Sequence, residues 1–115
     1  MSVTRVPKPW GEELLFARTA RYAGKILRIR AGESLSLQYH ERKDETIYLY
    51  QGRLRLLLPD ETDPGAQKTL AAGEAVHLPP GTRHRLEALT DCVVFEVSTP
   101  ELDDVVRLED RYGRA

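Results

Sequence analysis

The chain has 115 residues, 41% of them hydrophobic and 30% charged, with a formal net charge of −1. That length allows one domain with one core, and the near-neutral, evenly spread charge excludes a basic footprint for nucleic acid or an anionic membrane surface. No apolar run approaches the roughly 20 residues of a transmembrane helix. The opening Met1-Ser2-Val3-Thr4-Arg5 has no apolar signal core, and the lone Cys92 rules out an intramolecular disulfide, so a cytoplasmic location is expected.

In chain order, residues 1–19 read as an N-terminal arm, about 20–99 as the core of the single domain and 100–115 as a C-terminal tail. Residues 25–30 read as a strand closed by the turn pair Ala31-Gly32. Leu35, Leu37 and Tyr39 then alternate with Ser34, Ser36, Gln38 and His40. Residues 46–50 are β-branched and aromatic, and Gln51-Gly52 follows as a tight turn. Residues 53–58 alternate again, and 60–65 are turn-rich. Further strands are expected over 75–78, 84–89 and 93–98. Cys92 opens the last of these runs and reads as a buried, inert thiol. Residues 100–108 admit a short helix, a strand or an extended tail. Short strands at this spacing, with Gly and Pro between them, predict an all-β sandwich or barrel.

The chemistry gathers around two of the three histidines. His40 follows Gln38 by two residues on a predicted strand, which puts both side chains on one face. Glu45 opens the next strand, across a polar loop that can fold it back towards them. His84 follows the rigid turn Pro79-Pro80-Gly81-Thr82-Arg83. Two imidazoles, one carboxylate and one amide oxygen form a mixed N/O ligand set for one divalent metal ion. Zinc, manganese, iron, cobalt and nickel all suit it. His77 alternates with Val76 and Leu78 and is expected to point away from the core.

These residues resemble the cupin family. Gly32, Gln38-Tyr39-His40, Glu45 and Gly52 keep the spacing of the first cupin motif, with Gln38 in place of its first His. Gly73, Pro79-Pro80-Gly81 and His84 keep that of the second, with Ala88 where Asn is usual. The resemblance implies a jelly-roll-like double-stranded β-barrel, by family habit a homodimer. Lys8-Pro9-Trp10-Gly11, the stretch 35–40 and the stretch 103–114 narrow it further. They are similar to the cupin domain of type II mannose-6-phosphate isomerases, where a Gln takes this ligand position. That domain is often fused behind a sugar-nucleotidyltransferase domain; without one here, no nucleotidyl transfer is expected. The rim differs from the family, with Glu41, Arg42, Thr46 and Ile47 where His and Trp are usual.

The activity so implied is aldose–ketose isomerisation of a phosphosugar, in which a proton moves between C1 and C2. Glu96, Glu87 and Lys25 are the candidate acid–base residues, and Arg42 and Arg85 the candidates to hold the phosphate. Lys25 shares strand parity with Leu27 and Ile29, and Glu96 has a Glu counterpart in the isomerase family. Trp10 reads as a packing residue, and the tail around Arg107, Arg111 and Arg114 as a clasp on the barrel in preference to a reach towards a phosphate. Two other classes compete: a metal-dependent cupin of dioxygenase type, and a non-catalytic sugar-binding or regulatory module.

Overall fold

The computed structural model describes residues 2–113, so Arg114 lies outside the described residues. Among those residues there are eleven strands and no helix. They are β1 (Thr4–Lys8), β2 (Gly11–Arg18), β3 (Ala23–Ile29), β4 (Leu37–Tyr39), β5 (Glu45–Gln51), β6 (Arg53–Leu57), β7 (Gln67–Ala71), β8 (Ala75–Leu78), β9 (Arg85–Ala88), β10 (Cys92–Ser98) and β11 (Val106–Glu109). Every pairing is antiparallel. One sheet runs β1-β2-β3-β10-β5-β8. The other is built from β7-β6-β9 and β11-β4, joined by the bridges Ser34↔Glu87 and Gln38↔His84. Two antiparallel sheets enclosing one core give the expected all-β, jelly-roll-like barrel.

Three segments differ from the sequence reading. The stretch before residue 20 is a hairpin, β1–β2, whose second strand pairs along β3. Leu14, Leu15 and Phe16 are consecutive in β2, so no period of two marks it as a strand. Strand β7 has one buried residue, Leu70, and is held at the sheet edge by its pairing with β6. Within the segment left open at 100–108, the chain turns and then forms β11.

The inward-facing rows position the site. On β10 the buried residues run Cys92, Val94, Glu96, Ser98; on β5 they run Leu49, Ile47, Glu45. On β3, Ile29 and Leu27 lead to the half-buried Lys25, and approaching β9 Ala88 and Leu86 lead back to His84. Each row starts apolar and ends polar, and register aligns the changeover: Val94 faces Leu27 and Leu49, whereas Glu96 faces Lys25 and Ser98 faces Glu45. One end of the barrel is therefore a packed core of Leu49, Leu54, Leu56, Leu70 and Leu86, and the other a buried polar chamber. Trp10, at the hairpin turn, is 2% exposed and joins that core as a packing residue.

The turn between β5 and β6 needs glycine. Gly52 has φ +99°, and a Cβ there would lie 2.3 Å from the Asp91 carbonyl oxygen. Gly73 has φ +96° but open space around it. Gly73→Ala should cost about 1–2 kcal/mol, the price of left-handed backbone, and Gly52→Ala clearly more, because a backbone neighbour must also move. Urea unfolding midpoints at unchanged slope measure both; equal losses would show that the contact with Asp91 is relieved without cost.

Candidate metal centre

His40 lies just past β4, Glu45 opens β5 and His84 immediately precedes β9. All three are buried, at 5%, 4% and 2% exposure. Backbone pairing fixes the two histidine strands: Gln38 N–H donates to the His84 carbonyl at 3.0 Å, and His84 N–H to the Gln38 carbonyl at 2.9 Å. The Pro-Pro-Gly turn is tied in as well, since Gly81 N–H donates to the His40 carbonyl at 2.7 Å. Glu45 Oε1 then stands 3.5 Å from His40 Nε2 and 3.3 Å from His84 Nε2.

The other ring nitrogens show what these atoms are for. His40 Nδ1 is 2.5 Å from the Asp104 carbonyl oxygen, and His84 Nδ1 is 2.9 Å from that of Thr82. A carbonyl only accepts, so each Nδ1 carries a proton, and with the ring neutral each Nε2 presents a lone pair. His40 Nε2 is buried without a hydrogen bond. Two lone pairs and a carboxylate oxygen facing one another in a buried place repel unless a cation lies between them. The separations of 3.3 and 3.5 Å are long for charge-assisted hydrogen bonds. Donors sharing one ion at about 2.0–2.2 Å sit roughly 3–3.5 Å apart, so the group fits a divalent metal. Carbonyl-anchored imidazoles are the usual support for such ligands. Gln38 is half-buried, accepts a 2.7 Å bond from the Ser36 hydroxyl on Oε1 and faces the same cavity as His40.

Asp104 holds the loop between the ligands. Its carboxylate accepts the N–H groups of Glu41, Arg42 and Lys43 at 3.1, 2.7 and 2.9 Å, while its carbonyl orients His40. Those backbone bonds lower the Asp104 carboxyl to about 2.

A cavity of about 410 Å³ opens on this end of the barrel. His40, Gln38, Lys25, Lys43 and Glu96 all line it. Lys43 belongs to the polar loop between β4 and β5, yet it is 4% exposed. Its ammonium donates to Glu96 at 3.0 Å and lies 3.1 Å from Glu45 Oε2. Burial works to lower the Lys43 pKa, but the Glu96 and Glu45 charges outweigh it and raise the value. Burial and the Glu45 charge raise Glu96. Lys25 faces the cavity too, paired with Glu13 at 3.1 Å.

The structure does not bring the other candidates to the site. With His84, Leu86 and Ala88 inward, Arg85 and Glu87 point outward. Arg85 donates to the carbonyls of Leu35 and Glu109, clasping the tail, and Glu87 lies 3.4 Å from Arg55. Arg42 is exposed on the loop held by Asp104 and does not line the cavity. His77 is on the outer face, 2.6 Å from Asp44. Cys92 is buried at the apolar end, where burial raises its thiol pKa.

Comparison with known proteins agrees with this architecture. A family model described as "Cupin domain" matches residues 25–98. The chain belongs to the cupin family. It is 35% identical to "Mannose-1-phosphate guanylyltransferase ManC" of Salmonella typhimurium, over 95% of this cupin and 23% of the relative. It is 29% identical to "Xanthan biosynthesis protein XanB" of Xanthomonas campestris, over 96% and 24%. The cupin thus spans about a quarter of the length of the curated relatives it matches. Among solved structures, KdgF from Halomonas sp. superposes with a TM-score of 0.75 at 25% identity, covering 90% of this chain and 89% of that one. Oxalate decarboxylase from Bacillus subtilis superposes with a TM-score of 0.77 at 17% identity, covering 92% and 30%, a likeness of fold alone.

Calorimetric titration of metal-stripped cupin with zinc or manganese should give one ion per chain. His40→Ala and His84→Ala should each weaken binding by more than about 100-fold, and Asp104→Ala by about 10–100-fold through its hold on the ligand loop. Unchanged affinity in both histidine variants would remove the ion from this place.

Proposed function

We propose that this cupin is a metal-dependent aldose–ketose isomerase of a phosphosugar, in the simplest case interconverting mannose 6-phosphate and fructose 6-phosphate. The observation that carries the reading is the buried Lys43–Glu96 pair. It faces the same open cavity as His40 and touches the carboxylate of the ligand group. The sugar-phosphate class is supported by the curated relative named for mannose 1-phosphate and by the isomerase-like terminal stretch.

Isomerisation needs a base that takes the C2 proton of the aldose and returns it at C1, with the proton on the neighbouring oxygen shifted in step. Glu96 is the candidate for that base. Its carboxylate lines the cavity, and burial makes it a better proton acceptor than a solvated glutamate. Lys43 fixes its orientation, donating to Glu96 from one side while resting against Glu45 on the other. Lys25, held by Glu13, supplies a second positive charge to the same space. The divalent ion, bound on Gln38, His40, Glu45 and His84, would polarise the carbonyl and offset the charge of the enediolate. The buried lining limits exchange of the migrating proton with solvent.

A coupled assay for fructose 6-phosphate formed from mannose 6-phosphate tests the reading, in protein stripped and reloaded with zinc, manganese, cobalt or iron. Turnover should depend on metal and vanish in His40→Ala. Glu96→Gln should lower kcat by about 10²–10⁴ with little change in KM. Glu87→Gln, on the outer face, should leave both unchanged. Absence of turnover with every metal, in protein shown to hold metal, would refute mannose 6-phosphate as the substrate.

A further inference from the structure

The cavity carries more positive charge than its ion pairs use. Lys25 is matched by Glu13, and Lys43 by Glu96 and Glu45. Lys8 on β1, Arg18 on β2 and Arg107 on β11 line the same space. Among the described residues, none of these three has a carboxylate within ion-pair distance. The remaining acid on the lining, the exposed Asp103, is beyond that distance from all three.

Arg107 is the best placed. Strand β11 sets it directly opposite Gln38. Opposed residues on an antiparallel ladder send their side chains to the same face, with Cβ atoms about 4.5–5.5 Å apart. Arg107 and Gln38 therefore line the cavity side by side. Arg107 Nε is buried and makes no hydrogen bond. A buried guanidinium donor left unpaired is unfavourable, and an anion arriving in the cavity would satisfy it.

We infer that Arg107 and Arg18 form an anion clamp holding the phosphate of a sugar whose other end reaches Gln38 and His40. The direction of the sugar rests on the isomerase reading; the clamp itself does not. Two guanidinium groups from two strands suit a tetrahedral dianion with several oxygens, where a monoanionic carboxylate would need a single guanidinium fork; Lys8, paired with Gly11 at the opposite end of β2 from Arg18, is too far along the strand to share it. The clamp takes the role that sequence alone assigned to Arg42 and Arg85. It also explains why the tail returns to pair with β4, since that pairing brings Arg107 to the cavity.

Calorimetry on the zinc-loaded full chain tests this with mannose 6-phosphate, mannose and glucuronate as probes. Mannose 6-phosphate should bind at least about 100-fold more tightly than mannose. Arg107→Ala and Arg18→Ala should each reduce that preference by about 10-fold or more, with zinc stoichiometry and melting temperature unchanged. Arg107→Lys should recover part of it, which separates charge from folding. Equal binding of mannose and mannose 6-phosphate by the wild-type chain would overturn the clamp, as would a preference untouched in both alanine variants. Glucuronate bound as tightly as mannose 6-phosphate would overturn the assignment to phosphate. A phosphate preference lost in Arg107→Ala, in protein without isomerase turnover, would uphold the clamp while the isomerase reading fails.

Discussion

Two imidazole lone pairs and one carboxylate oxygen meet in a buried space, and the polar half of this molecule is arranged around that meeting. The contact is unfavourable without a positive charge at its centre. It is nevertheless enforced from four directions. The carbonyls of Asp104 and Thr82 hold the Nδ1 protons. The Gln38–His84 bridge locks the strands, and the register of β5 against β10 fixes Glu45. Nothing in the packing of a barrel requires this. The apolar residues at the other end would close the fold by themselves, and their leucine-rich rows supply the hydrophobic stability that lets the polar end carry strained electrostatics.

The same logic covers Lys43 and Glu96. Burying an ion pair rarely stabilises a fold more than apolar packing of the same volume would. Here a lysine and two glutamates are sealed at 4%, 4% and 8% exposure against the ligand group. Apolar residues at the three positions would serve packing equally well. Lys43 and Glu96 instead line an open cavity, where the proposed isomerisation would use them.

Much of this was legible in the residues, for identifiable reasons. Strands β3, β5, β6, β8, β9 and β10 alternate or run apolar between turn residues, so the all-β class followed. The ligand group was visible because spacing places Gln38 with His40, and the Pro-Pro-Gly turn with His84. Parity also carried Lys25 correctly to the cavity. It could have corrected Arg85 and Glu87 as well: counted from an inward His84, both fall outside. Other features were out of reach. Along 34–40 the serines and His40 are the buried set while Leu35, Leu37 and Tyr39 are half-buried, a pattern that hydrophobicity alone reads backwards. Lys43 looks like a loop lysine until Glu96, far away in sequence, is brought beside it. The charged tail offered a clasp or a reach towards a phosphate, and what the residues could not show was that Arg107 comes to lie opposite Gln38, through the long-range pairing of β11 with β4.

His40, Glu45 and His84 are placed to hold a divalent cation between them. X-ray absorption at the metal edge of zinc-loaded protein tests it most directly. The first shell should be nitrogen and oxygen at about 2.0–2.2 Å, with the outer-shell scattering of two imidazoles and no sulfur. A shell containing sulfur, or one without imidazole scattering, would place the metal away from His40, Glu45 and His84.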